Sequence, residues 1–203
     1  MSADENYLHN SDDWLNKGNA LYGQGKYDEA IKACDRAISI NPQYAEALYS
    51  KGLALDDLGK YDEAIKAYDQ AISINPQYAE ALYSKGLALY RQGKYDEAIK
   101  AYDQAISINP QYAEAWLSKG AVLGGQGKYD EAIKACDRAI SINPQDAEAW
   151  YNKGNALYRL GKYDEAIKAC DRAISINPQD AEAWLSKGNA LYRLGKYDEA
   201  IKA

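Results

Sequence analysis

A chain of 203 residues that is 47% hydrophobic carries enough apolar side chain to bury a core, which excludes disorder as its main state. Lys and Arg number 24 against 30 Asp and Glu, and the resulting net charge of −6 argues against nucleic acid, whose phosphates demand a basic face. No run approaches the roughly 18 to 20 apolar residues of a membrane span, and 1–10 lacks the basic start and apolar stretch of a signal peptide, so a cytoplasmic protein without membrane contact is expected.

The residue counts point to copying, since nineteen Tyr stand beside no Phe, and 15 Gly beside 5 Pro. After an irregular lead over 1–10, which holds His9, the string GKYDEAIKA recurs from Gly25, Gly59, Gly93, Gly127, Gly161 and Gly195, always 34 residues apart. Units that begin at Ser11 run 11–44, 45–78, 79–112, 113–146 and 147–180, and a sixth, 181–203, is partial. A single repeat domain over 11–203 is therefore expected. Units 45–78 and 79–112 differ only where Asp56, Asp57 and Leu58 correspond to Tyr90, Arg91 and Gln92, which implies recent duplication or design.

Each unit reads as two helices in succession. In 147–180, Ala147, Trp150, Gly154 and Leu157 have the i, i+3, i+7, i+10 spacing of one helix face. Gly161 then stops the helix, being free to take the left-handed conformation, and Asp164 and Glu165 place negative charge on the positive end of the next one. Tyr163, Ala166, Ile167, Cys170, Ala173 and Ile174 form the apolar face of that second helix. Asn177-Pro178 ends it, because proline has no amide proton and disfavours helical geometry before it. A 34-residue pair cannot enclose a core alone and must bury its other apolar surface on the next pair. The pattern predicts an all-α fold, an α-solenoid of antiparallel helix pairs stacked with constant offset into a superhelix.

The order Trp150, Gly154, Gly161, Tyr163, Ala166, Ala173, Pro178 resembles the tetratricopeptide repeat, and the likeness covers 11–203. Departures from the family pattern are Lys153, where leucine is usual, Leu157, often tyrosine, and Cys170, where an aromatic is preferred. A lysine stem lying along apolar surface with its amine in water keeps the helical pattern intact. The resemblance implies a right-handed superhelix and a function of binding: a protein–protein interaction scaffold holding a partner's peptide or helix in the groove lined by each repeat's first helix.

The groove positions implied in the fifth repeat are Glu148, Tyr151, Asn155, Tyr158 and Arg159, with Asn152 beside them. Their equivalents are Glu80, Tyr83, Leu87, Tyr90 and Arg91 in the third repeat, and Glu182, Leu185, Asn189, Tyr192 and Arg193 in the sixth. The fourth repeat is almost bare there, with Leu117, Ala121, Gly124 and Gly125. An exposed tyrosine row offers rigid apolar area with polar tips, and asparagine amides suit the backbone of an extended peptide. The alternative is a solvated helix face. Asn152, Asn155, Arg159, Asn189 and Arg193 are expected to converge, and the acidic row Glu114, Glu148 and Glu182 favours ligands with some positive charge. The carboxylate clamp that grips acidic chaperone tails lacks both lysines. Leu15, Asn19, Ser50, Leu87 and Arg91 stand at its positions in the first three repeats, and Leu117, Ala121, Asn152, Asn189 and Arg193 in the last three.

No nucleophile, base and orienting group cluster in the sequence, so no enzyme activity and no cofactor are expected. Cys34, Cys136 and Cys170 occupy the slot of Tyr68 and Tyr102 without any CxxC or Cys–His spacing, and read as free, buried packing residues rather than metal ligands. Two readings stay open: a scaffold for a peptide ligand, and a self-associating structural array, natural fragment or engineered, with no dedicated ligand. The second rests on the partial sixth repeat, where Trp184, Gly188, Leu191, Tyr197, Ala200 and Ile201 are expected to leave an apolar patch, and on the other end, where Tyr7 and Leu8 either partly cover the first repeat or are displaced by another chain.

Overall fold

The computed structural model describes residues 10–202, and they are helical wherever the repeat demands it. His9, Tyr7 and Leu8 lie outside the described residues. The chain divides into two compact units, Met1–Ile108 and Asn109–Ala203. The first holds α1 (Ser11–Gly23), α2 (Tyr27–Ile40), α3 (Ala45–Asp57), α4 (Tyr61–Ile74), α5 (Ala79–Arg91) and α6 (Tyr95–Ile108). The second holds α7 (Ala113–Gly125), α8 (Tyr129–Ile142), α9 (Ala147–Arg159), α10 (Tyr163–Ile176), α11 (Ala181–Arg193) and α12 (Tyr197–Ala200).

Local chemistry sets these boundaries. Gly161 takes φ +78°, as its equivalents also do at positive φ, and this brings the Gly161 and Lys162 amides back to the Tyr158 and Leu157 carbonyls at 2.9 and 3.0 Å. The last carbonyls of α9 are thereby satisfied within a three-residue turn. At the other end of the pair, Asn143 Oδ1 accepts from the Gln145 amide at 3.2 Å, and Trp150 Nε1 donates to the Pro144 carbonyl at 3.1 Å. The Asp146 and Asp180 side chains cap α9 and α11 by accepting from the Ala149 and Ala183 amides, both at 3.1 Å. Tyr44, Tyr78 and Tyr112 hold the same position before α3, α5 and α7 and make no side-chain cap.

Burial runs through both units as alanine-rich seams. In the first unit Leu55, Ala64, Ala67, Tyr68 and Ala88 form one cluster, so α5 closes over the α3–α4 pair. Leu157, Ala166, Ala169 and Ala190 do the same with α11 in the second unit. Methyl groups at these positions let helix axes approach, which is why the repeat tolerates so few large side chains on its inner faces. Within each unit a lysine reaches the preceding pair: Lys51 to Asp35 at 2.7 Å in the first, Lys153 to Asp137 at 2.6 Å and Lys187 to Asp171 at 2.8 Å in the second. Lysine at the family's leucine position thus adds a surface ion pair of small worth while its stem packs, with Lys153 Nζ 5.4 Å from the Trp150 ring centre.

The three cysteines are free and buried, as the sequence implies. Each lies over the glycine of its own first helix, the Sγ of Cys170 being 2.8 Å from where a Cβ on Gly154 would stand. Burial pushes the Cys34 and Cys170 thiols up to about 11 and that of Cys136 up to about 12. Because the thiolate is the reactive form, thiol labelling of the native chain without reductant should count three groups, reacting on the order of a hundredfold more slowly than in denaturant. A fast-reacting thiol, or a bridge in the folded monomer, would contradict this packing.

Candidate peptide-binding site

The first helix of each pair carries the side chains that the repeat pattern assigns to a groove, and their settings differ between repeats. In the second unit Arg159 closes α9 and lays its guanidinium over Tyr129, Cζ lying 5.6 Å from the ring centre. Arg193 sits on Tyr163 in the same way at 5.6 Å. The Tyr158 ring packs 5.5 Å from Tyr163, and Tyr192 packs 5.2 Å from Tyr197. Tyr151 is half-buried and its hydroxyl donates to Glu182 Oε2 at 2.8 Å. Burial first, and then the bond to Glu182, push that hydroxyl up to about 12.

These side chains border three separate hollows. Asn152, Asn155 and Arg159 meet over Ala121, Gly124, Gly125 and Tyr129 in a hollow of about 350 Å³. Glu148, Tyr151 and Glu182, with Asp146 and Asp180, border a shallower one of about 700 Å³, whose lining holds four carboxylates and no cation. Asn189 and Tyr192 belong to a third, of about 800 Å³, walled by Trp184, Leu185, Tyr197 and Ile201. The expected convergence is therefore partial, because Asn152, Asn155 and Arg159 come together while Asn189 and Arg193 lie elsewhere. The apolar patch also differs in membership: Leu191 is buried, whereas Leu185, Tyr192, Tyr197 and Ile201 are exposed.

The exposed tyrosine row is likewise only partly present. Tyr90 and Tyr192 are exposed, whereas Tyr83, Tyr151 and Tyr158 are half-buried, because each ring leans on an aromatic or carboxylate neighbour instead of standing free. In the first unit Tyr83 packs 5.9 Å from Tyr102, and Tyr90 packs 5.6 Å from Tyr95. Arg91 lies over Tyr61 at 6.0 Å and forms an ion pair with Asp56, whose side chain is only 10% exposed. Burial pushes the Asp56 carboxyl up and the Arg91 charge holds it back. Next to it the Tyr22 hydroxyl donates to Asp57 Oδ2 at 2.6 Å.

The pattern reading missed two features here, the Asp56–Arg91 pair and the contribution of Tyr129, Ala121, Gly124 and Gly125 to the Arg159 hollow. A signal for both was present, since residues 35 apart meet across the seam, as Tyr22–Asp57 and Asp56–Arg91 do. Among the described residues no group of three or more His, Cys, Asp or Glu is placed to hold a metal ion, and no helix is long and apolar enough to cross a membrane.

Family models described as Tetratricopeptide repeat match residues 15–79, 49–113, 83–147, 117–181 and 160–203. Among solved structures, MamA is 29% identical with a TM-score of 0.76, over 85% of this chain and 94% of that one. YrrB, described as a TPR protein with an unusual peptide-binding site, is 24% identical with a TM-score of 0.74, over 89% of this chain and 93% of that one. PilF of Pseudomonas aeruginosa shares the fold at 20% identity and a TM-score of 0.82, over 95% of this chain and 87% of that one. No curated protein sequence matches the chain. The five family matches, the helix pairs and the positive-φ glycine that ends each first helix lead to one conclusion: the chain belongs to the tetratricopeptide repeat family, an all-α solenoid of the protein-interaction scaffold class.

Proposed function

We propose that the chain holds a partner's peptide or helix along the first helices of its second unit, with α9 as the central contact. The observation that carries this reading is the pair of hollows along α9, a carboxylate-lined one at Glu148 and Tyr151, and one at Asn152, Asn155 and Arg159. Glu148 and Arg159 stand eleven positions apart on α9, about 16 Å at the α-helical rise, a span that five extended residues cover. A ligand with a basic group at the Glu148 end and an apolar body between them fits this layout, and salt should weaken it moderately.

The self-associating array is the weaker reading. In α3 and α11 the alanine two residues past the start packs on the preceding pair, Ala47 on Ala37 and Ala183 on Ala173. In α1 that position is Asp13. Stacking α1 head-to-tail on another copy would bury a carboxylate where the seam needs a methyl group.

A displayed random-peptide library selected on the whole chain tests the proposal. Selected peptides should carry a basic residue and lose at least tenfold in affinity to Asn155→Ala or Glu148→Lys, both exposed positions, but not to Asn19→Ala on α1. Failure to enrich any sequence, or equal binding by all three variants, would overturn it.

A further inference from the structure

The third and fifth repeats end their first helices with the same arginine in the same pose, on the tyrosine that starts the preceding second helix. Arg91 Cζ is 6.0 Å from Tyr61 and Arg159 Cζ is 5.6 Å from Tyr129. What faces each guanidinium comes from the residue 35 positions earlier. For Arg91 that residue is Asp56, which supplies a carboxylate to Nη1. For Arg159 it is Gly124, and the space is the 350 Å³ hollow. No residue lining the hollow is acidic, and Arg159 makes no ion pair among the described residues. Asn152 lines it as well, and its Nδ2 is enclosed without a hydrogen-bond partner, so a small turn of that amide is what would bring the donor to a ligand. A guanidinium and two side-chain amides with no carboxylate of their own form a donor set for one carboxylate, and Asp56 shows within this chain what occupies that place.

We infer that the hollow before Arg159 seats a single carboxylate of the bound peptide, from an Asp or Glu side chain or from its C-terminus. This rests on the groove reading and deepens it: opposite the carboxylate-lined hollow, the α9 surface ends in a seat for negative charge, so the ligand carries both signs about 16 Å apart. The seat shares Asn152 with the positions of the two-lysine clamp but not its cations: neither lysine is present, Leu117 and Ala121 stand at two of its other positions, and the charge comes from Arg159, which is outside that set.

Gly124→Asp tests this directly. It copies Asp56, a Cβ there meets nothing nearer than the Ala132 methyl at 3.9 Å, and the α3 helix already carries the residue at this position. The whole chain, labelled with ¹⁵N, is titrated with N-acetyl-glutamate amide, which has only the side-chain carboxylate, with N-acetyl-alanine, which has only the terminal one, and with N-acetyl-glutamine amide, which has neither. Saturable shifts of the Arg159 Nε–H and the Asn152 and Asn155 side-chain amides are expected from at least one carboxylate probe, and the stronger of the two names the source. The neutral probe should be at least tenfold weaker, and Gly124→Asp should weaken the carboxylate probes at least tenfold while its unbound Arg159 signal resembles the saturated one. Equal response to the neutral probe, or unchanged binding by a folded Gly124→Asp chain, overturns the seat. The two proposals fail separately: peptides selected from the library that bind Gly124→Asp undiminished leave the groove standing without the seat, whereas probe binding without any selected peptide does the reverse.

Discussion

Gly52→Ala should destabilise the first unit by about 1–3 kcal/mol although alanine is the better helix former. A Cβ on Gly52 would stand 2.4 and 2.7 Å from Cε1 and Cδ1 of Tyr68, distances no packed pair sustains. Tyr68 is fully buried within the cluster of Leu55, Ala64, Ala67 and Ala88, so its ring has no space to yield. The gain of about 1 kcal/mol in helix propensity is then outweighed by overpacking. Gly125→Ala supplies the control, because a Cβ there meets nothing within 4 Å, and at this last position of α7 the variant should be at least as stable as the parent, with a gain below the interior value of about 0.5–1 kcal/mol. Gly154→Ala should fall between them, since its neighbour is the single Sγ of Cys170 at 2.8 Å rather than a ring. Urea unfolding of the three variants measures the order, and Gly52→Ala as stable as the parent would refute this account of the seam.

Arg91→Ala should cost about 1–2 kcal/mol at neutral pH, and the loss should fade in acid. Asp56 Oδ2 accepts from Arg91 while its Oδ1 has no partner, so removal of the arginine strands a buried carboxylate. The lower part of the usual range applies because Arg91 is 42% exposed and water screens the pair. The sign follows from the direction of the Asp56 shift. Burial already raises this carboxyl above its ordinary value, and loss of Arg91 raises it further. A raised carboxyl favours the fold when protonated, so its contribution is complete below the ordinary carboxylate value and is lost as pH rises through the raised one. The difference between Arg91→Ala and the parent should therefore be full at pH 7 and shrink as pH falls toward 4. Asp56→Tyr, which installs the residue of the next repeat, should recover most of the loss in the Arg91→Ala background. A deficit independent of pH, or no recovery, would show that Arg91 acts through packing alone.

Much of this molecule is legible from its residues because the forces that set helix ends act within a few positions. The glycine of each GKYDEAIKA string, the Asn-Pro stop and the acidic first turn mark the boundaries seen at α9 and α10, and the Cys slot facing Gly154 identifies itself by alternating with tyrosine. The candidate site was less legible. A row of tyrosines at helical spacing reads as exposed, yet Tyr151 and Tyr158 are half-buried, the first bonded to Glu182 on α11 and the second packed on Tyr163 of α10. Arg91 and Arg159 occupy one slot in nearly identical repeats, and only the packed pairs reveal that one is neutralised by Asp56 while the other faces the hollow left by Gly124. Helix periodicity and caps are local properties, so the sequence by itself determined the elements and their order. What each side chain meets is decided across the seam by a residue some 35 positions away, and that distance is closed only when the pairs stack and bury their alanine faces.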